Sequence, residues 1–504
     1  MKKNPSIKAA AKLRQASVAA LFLLISFNLH TAIAQSGPFP RLEPDPKALE
    51  YYRMGADGYS WTELAEISLW ASGDSSAAGM RRIREVTEAL TNSSEFPKSG
   101  RERAEFILTF LHGNILRSYS IYQTRVDTIF SGGRYNCVSS AVLYMILCDF
   151  AGIGTSGVVT RDHAFVTVHI DGEDIDVETT NRYGFDPGSR REFHDQFDRL
   201  TGFAYVPARS YRDRQTISKI ELVSLILNNR ISEHERQNRF AEAVPLAVDR
   251  AALLLGSLSA SSAEVISREA LFDDPGKDMA DRLLNYGAWL LRANREEDGL
   301  RWAVTASSRY SDSRWQEFIS AAVNNRIVKL IRENKTAEGR SFLESSKNLL
   351  SAADYAQFDA ALIDSELLGR ANQIRTAADG DAVTAAVEQA RNSGRLPERR
   401  AAELLTFTIQ KTAAALCAAP ARDWRAAIGY IENALSRFGA DSELERSLRT
   451  YRSNLAADYH NRFAAEWNRR NYDEAERILN EGLAEFPGDS RLLSDRETVN
   501  RMRN

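Results

Sequence analysis

The sequence predicts two architectures in one chain: a mixed α+β domain, in which a cysteine-bearing helix packs on an antiparallel sheet, and then an all-α helical solenoid. Three observations carry this expectation. Residues 133–154, GRYNCVSSAVLYMILCDFAGIG, pass from turn residues into an almost continuous apolar run. Residues 155–180 then alternate apolar and polar side chains around Asp171-Gly172. From about residue 217 to Asn504 the pattern is helical, rich in Ala, Leu, Glu and Arg, with short polar breaks.

The chain opens with MKKNPSIKAAAKLR, which holds Lys2, Lys3, Lys8, Lys12 and Arg14 and no acid. A short apolar core, ASVAALFLLISF, and the small residues Ala32 and Ala34 before Gln35 complete the pattern of a cleavable export signal. That core is about twelve residues, where a membrane span needs about twenty. The expectation is therefore a signal peptide over 1–34, an exported protein (periplasmic or secreted), and no stable membrane span. Loss of those five cations moves the formal charge from −3 to −8. A basic footprint is absent, which argues against nucleic acid as a partner.

Residues 35–60 are rich in Pro and Gly and are expected to be extended. Helical periodicity begins at WTELAEISLWASG and runs to about Ser120, opening a domain assigned to 61–216. The cysteine helix comes next. Val138, Ala141, Val142, Leu143, Tyr144, Met145, Ile146 and Leu147 cover nearly its whole circumference, as in a helix buried on all sides. Gly152 and Gly154 stop it. The strand-like runs TSGVVT, HAFVTVHI and EDIDVETT follow, the last two joined by the two-residue turn Asp171-Gly172. Residues 181–215 are irregular.

The region assigned to 217–504 repeats a scheme. RNYDEAERILNEGLAEFPGDSRLL, near the end, aligns with RDWRAAIGYIENALSRFGADSELE: Tyr472 answers Trp424, Ala475 answers Ala427, Leu483 answers Leu435 and Phe486 answers Phe438. Phe240 with Ala243, and Gly299 with Tyr310, repeat it more loosely. Small residues at fixed points let paired helices approach, and the aromatic and Leu positions fill the groove between pairs. This pattern resembles tetratricopeptide repeats. The resemblance implies a concave surface for a protein or peptide partner.

The chain has three cysteines. Cys137 and Cys148, on one helix, would stand roughly 16 Å apart along its axis. A disulfide needs Cα atoms within about 7 Å. Cys148 and Cys417 sit in apolar settings and read as core. Cys137 sits at the helix start, after Gly132, Gly133 and Asn136. A helix N-terminus carries partial positive charge and free N–H groups, which favour a thiolate and can hold an oxyanion.

An attacking thiolate needs a base nearby, most often His. Of the seven histidines, His163 and His169 fall on a predicted strand. In a hairpin closed by Asp171-Gly172, Ile170 faces Glu173, Phe165 faces Glu178 and His163 faces Thr180. Glu178 is then a diagonal neighbour of His163, at roughly 7–8 Å between Cα atoms. Asp176 lies roughly 13 Å from the Thr180 register along the strand and is the alternative acid if a bulge shifts the pairing. His169, near the turn, reads as a surface histidine.

A cysteine at a helix start followed by DHAFVTVHIDGEDIDVETTN resembles the transglutaminase-like superfamily of papain-related folds, over about residues 100–190. The family's His-aromatic pair looks like His163-Ala164-Phe165, and its acid, fifteen residues after the His, falls on Glu178 within Val177-Glu178-Thr179-Thr180. Two positions depart from the pattern: Glu stands where Asp is usual, and Asp174 or Ile175 stands where the second strand often has Trp. The resemblance implies acyl transfer at an amide. Cys137 attacks the carbonyl, His163 takes and returns the proton, and Glu178 holds the ring; Gln123 is the upstream candidate for an extra oxyanion donor.

The expected function is an exported cysteine hydrolase of the peptidase or amidase type, with helical repeats for protein binding and no cofactor. The alternatives are a transamidase that cross-links proteins, and a non-catalytic adaptor carrying an inactive transglutaminase-like domain. No HExxH, CxxC or GxxxxGK[ST] motif points to metal or nucleotide chemistry.

Overall fold

A computed structural model describes residues 39–97, 99–161, 163–187, 214–258, 272–418 and 422–503. The expected signal peptide, Asp162, His30, His194 and most of the irregular stretch 181–215 lie outside them. The chain divides into two compact units, one ending at Trp315 and the other beginning at Gln316.

In the first unit, Asp45 caps α1 (Pro46–Met54) by accepting from the Lys47 N–H, and Pro46 occupies the first helical position. Proline there has a φ already suited to the helix. A helix therefore stands inside the stretch expected to be extended. Next come α2 (Trp61–Ser72), α3 (Ala77–Thr91) and α4 (Gly100–Asn114). Two short strands, β1 (Ser118–Tyr119) and β2 (Arg134–Tyr135), pair in parallel around α5 (Val126–Gly132). Helix α6 (Cys137–Phe150) follows directly.

A four-stranded antiparallel sheet is formed by β3 (Gly154–Val159), β4 (Ala164–Ile170), β5 (Glu173–Val177) and β6 (Gln215–Ile217), in the order β5-β4-β3-β6. The β4–β5 register runs from Ile170 opposite Glu173 to Val166 opposite Val177. Asp171 and Gly172 both take positive φ, 52° and 84°, as a type I′ turn requires. Helices α7 (Lys219–Arg236), α8 (Phe240–Leu255), α9 (Pro275–Arg292) and α10 (Glu296–Ser307) follow.

Helix α6 is the centre of the first unit. Every residue from Val138 to Cys148 is buried. It packs on α2, α4, α5 and α7 and on strands β3 and β4. Each fully buried Leu or Ile contributes about 1.5–3 kcal/mol, so the helix whose first turn carries Cys137 is anchored along its length. The same core includes Leu222, Val223, Ile226 and Leu227 of α7 and Leu253 of α8. It therefore runs through the boundary assigned at 216/217.

Helix α11 (Arg314–Arg332) spans the division between units. The second unit continues with α12 (Thr336–Ser345), α13 (Ala352–Ala371), α14 (Ala377–Asn392), α15 (Glu398–Leu416), α16 (Trp424–Phe438), α17 (Ser442–Asn468), α18 (Tyr472–Glu485) and α19 (Ser490–Arg503). Ala427 and Ala475, the small positions of the repeat, are fully buried.

The expected fold class needs correction. About 70 % of the described residues are helical, and the sheets are small. This does not fit an α+β papain/transglutaminase-like domain followed by a tetratricopeptide-like solenoid. The physical reason is local. The alternating runs do form strands, but of only three to seven residues in the four-stranded sheet, and helices from both sides of residue 217 share the core with them. In the second unit, helices range from the ten residues of α12 to the twenty-seven of α17, without the constant unit length of a repeat array. No helix among the described residues is long and apolar enough to cross a membrane.

Candidate active site

The start of α6 is built by turn chemistry. Gly133 ends α5 in the left-handed region, at φ 67°, and a Cβ there would crowd the Arg117 side chain and the Ile115 carbonyl. Asn136 then caps α6: its Oδ1 accepts from the Ser139 N–H at 2.9 Å, and the Ser139 hydroxyl accepts from the Asn136 N–H at 2.9 Å. Cys137 is the first helical residue and is half-buried. Its own N–H and that of Val138 make no hydrogen bond to any described residue. These are the donors a helix leaves open at its first turn.

The hairpin brings the other two groups to this turn. His163 lies one residue before β4, in the β3–β4 turn closed by the Thr160 N–H on its carbonyl at 2.9 Å, rather than on the strand itself. Glu178 lies one residue past β5. There the chain leaves β4, and the Glu178 N–H donates to the Gly184 carbonyl at 2.7 Å. His163 Nε2 meets Glu178 Oε2 at 2.5 Å. Glu178 is 3 % exposed. Its Oε1 accepts from the Thr180 N–H at 3.1 Å and the Thr180 hydroxyl at 2.7 Å. With Nε2 turned to the carboxylate, Nδ1 is the ring nitrogen left for Cys137, whose thiol lies in hydrogen-bonding range of the His163 ring.

Residues 178–180 are tied back to three elements. The Tyr135 hydroxyl donates to the Thr180 carbonyl at 3.1 Å, His112 Nε2 reaches the Thr179 carbonyl at 3.0 Å, and the Thr179 and Ser140 hydroxyls meet at 2.8 Å. His112 is pushed down to about 4 by burial, against the pull of its Thr179 bond. It is neutral at physiological pH, and Nε2–H is its donor.

The electrostatics favour a thiolate–imidazolium pair. Burial works against the Cys137 thiolate. The His163 ring, by hydrogen bond and by charge, and the Ala164 N–H outweigh it and hold the thiol below its ordinary value. Burial likewise opposes the charged His163 ring, but Glu178 and Cys137 raise it well above the usual histidine range. Cys148 and Cys417 behave oppositely, pushed up by burial to about 12 and about 11.

The remaining sequence candidates stand elsewhere. Asp176 faces Thr167, whose hydroxyl donates to it at 2.8 Å, and is held bidentately by Arg214 at 2.6 and 2.7 Å. It does not approach the His163 ring. The Gln123 amide donates to the Arg125 carbonyl at 3.2 Å and to the Thr128 hydroxyl, so both its donors are turned from the thiol. His169 is exposed and bonded to Asp174 at 2.6 Å and Ser156 at 3.1 Å. Among the described residues no group of three or more His, Cys, Asp or Glu could hold a metal ion.

Sequence reasoning missed Tyr119, His112 and Tyr135 as neighbours of the site. Tyr119 lies in hydrogen-bonding range of Cys137. Thr180 was legible, as the residue that hairpin arithmetic sets opposite His163. The β1–β2 ladder that carries both tyrosines has only two residues per strand, too short for a periodic signal. A cleft of about 1100 Å³ lies nearby, with walls that include Phe106, Phe110 and Phe130, the Gly132-Gly133 turn, and Arg182. Cys137 is not part of its walls.

No protein-family model matches the chain, and no curated protein matches it. Among solved structures it is similar to menin, in a crystal structure that reveals the binding site for the Mixed Lineage Leukemia (MLL) protein. The identity is 11 %, the TM-score 0.30, and the match covers 82 % of this chain and 93 % of that one. The likeness is too slight to bear on the site.

Proposed function

We propose that this chain is a thiol-dependent acyl-transfer enzyme of the peptidase or amidase type, acting through Cys137, His163 and Glu178. The observation that carries the reading is the line from a thiol in the first turn of α6, through the His163 ring, to a buried carboxylate 2.5 Å from Nε2. The transglutaminase-like resemblance belongs to this proposal for the arrangement of these side chains, and not for the fold. So does export, which rests on residues 1–34.

In the reaction, the Cys137 thiolate attacks an amide carbonyl carbon. A C–S bond forms and the carbonyl pair moves to oxygen, near the open N–H groups of Cys137 and Val138. Collapse breaks the C–N bond, and His163 gives its proton to the departing amine. His163, neutral again, takes a proton from water as its oxygen attacks the thioester carbonyl; collapse then breaks the C–S bond, releases the acid and returns the Cys137 thiolate beside the His163 imidazolium, and an amine in place of water gives transamidation. Glu178 holds the ring and stabilises its charged form in both halves. The substrate class is a protein or peptide.

The test uses p-nitrophenyl acetate. The reading expects acetyl-thioester on Cys137 at neutral pH, released with turnover and lost in Cys137→Ala. Added methylamine separates hydrolysis from transamidation by product mass. A protein that acquires no thioester contradicts the reading and leaves the adaptor alternative.

A further inference from the structure

Resting on the acyl-transfer reading, we infer that the Tyr119 hydroxyl is a catalytic oxyanion donor, which passes its hydrogen bond from the Cys137 sulfur to the oxygen of the carbonyl under attack.

Four backbone-anchored contacts fix Tyr119 against the start of α6. In the parallel β1–β2 ladder it stands opposite Tyr135, two residues before Cys137. The next residue, Ser120, donates its N–H to the Tyr135 carbonyl at 2.8 Å. The Ile121 carbonyl accepts from the amide of the cap residue Asn136 at 3.2 Å, and the Gln123 carbonyl accepts from the Ser139 hydroxyl at 2.9 Å. The Tyr119 ring packs edge-on against Tyr135 at 6.0 Å between centroids. Its hydroxyl lies in hydrogen-bonding range of the Cys137 sulfur and makes no other hydrogen bond to a described residue.

The chemistry at that spot follows. Burial and the neighbouring Cys137 and Glu178 charges keep the phenol protonated, so it is a donor at any physiological pH. Before attack it donates to the thiolate. As the C–S bond forms, the sulfur loses its charge and the charge appears on an oxygen one atom removed. A donor already in place needs only a turn of its O–H to follow it. The oxyanion site would then combine this hydroxyl with the open N–H groups of α6, in the role foreseen for the Gln123 amide. As whole residues, Tyr119 and Cys137 are both half-buried.

The test compares two reagents on the full-length protein and Tyr119→Phe, which keeps the ring against Tyr135. Iodoacetamide alkylates the thiolate by displacement of iodide, with no oxyanion. p-Nitrophenyl acetate acylates it through a tetrahedral oxyanion, which collapses with loss of p-nitrophenolate. The inference expects Tyr119→Phe to lower acylation by about 10²-fold. Alkylation, compared per thiolate, should stay within about threefold, with its pH inflection moved upward because the thiolate has lost a donor. Equal changes in both reactions, or none in either, would overturn the role of Tyr119 while leaving the acyl-transfer reading in place. A wild-type thiol that reacts with neither reagent beyond a Cys137→Ala background would remove that reading and this inference together.

Discussion

The Nε2 atom of His163 lies 2.5 Å from the Glu178 carboxylate, and the two side chains are 11 % and 4 % exposed. Two groups this buried gain from being charged only together, because each desolvated charge is stabilised by the other and by the hydrogen bonds around it. Thr180 supplies two of those bonds to Glu178.

Glu178→Gln keeps an acceptor for the ring and removes the charge. Acyl transfer is expected to fall by about 10²–10⁴, and the pH at which Cys137 becomes reactive should move upward. Glu178→Asp should fall between wild type and Gln. Unchanged kinetics with Gln would show that the carboxylate does not support the imidazolium.

Asp176 provides the control. It is bonded to Arg214 and Thr167, away from the ring. Asp176→Asn is expected to leave acylation within about twofold of wild type while costing about 1.5–3 kcal/mol in urea unfolding, since it weakens a charge-assisted pair. A large kinetic loss with intact stability would transfer the role of acid to Asp176.

His112 sets a pH dependence. Its folded-state value of about 4 lies below the ordinary value near 6.5. Between these limits the unfolded chain binds a proton that the folded protein refuses. Stability from this residue is therefore complete above pH ~6.5 and falls as pH drops towards 4, by roughly 3 kcal/mol in all. His112→Gln keeps a donor for the Thr179 carbonyl and does not titrate. Its unfolding free energy should lack that slope, measured by denaturant titration from pH 4 to 7; identical slopes in both proteins would refute the assignment.

Gly184 shapes the turn that presents Glu178. A Cβ at this position would run into the Glu178 carbonyl oxygen and crowd that of Asn181. Gly184→Ala is expected to cost about 1–3 kcal/mol and to slow acylation by moving the carboxylate off the ring. Thermal unfolding and acylation rate measured on the same sample check both effects; wild-type values in each would show that the turn adjusts without moving Glu178.

Much of this site was legible because it depends on short-range rules. A two-residue Asp-Gly turn dictates register, and register alone sets the residues 178 and 180 across from 165 and 163. The helix start at Cys137 was legible from Asn136 and the apolar run. The architecture was less so. Periodicity shows that 155–180 pairs as strands and that 219–255 is helical, but not that both fill one core with α6, which brings together residues as distant in sequence as Val142, Leu222 and Leu253. The Gln123 expectation failed because a nearer carbonyl and hydroxyl, those of Arg125 and Thr128, satisfy its amide. Tyr119 was hidden because a two-residue ladder leaves no pattern.

The most direct measurement is the rate of iodoacetamide labelling of each cysteine in the native protein, read by mass spectrometry across pH 4 to 10. The account predicts that Cys137 is modified first, with its reactivity rising well below the ordinary thiol value of about 8.5, while Cys148 and Cys417 lag far behind. Labelling of Cys137 no faster than a free cysteine, with a single inflection near that ordinary value, would contradict it.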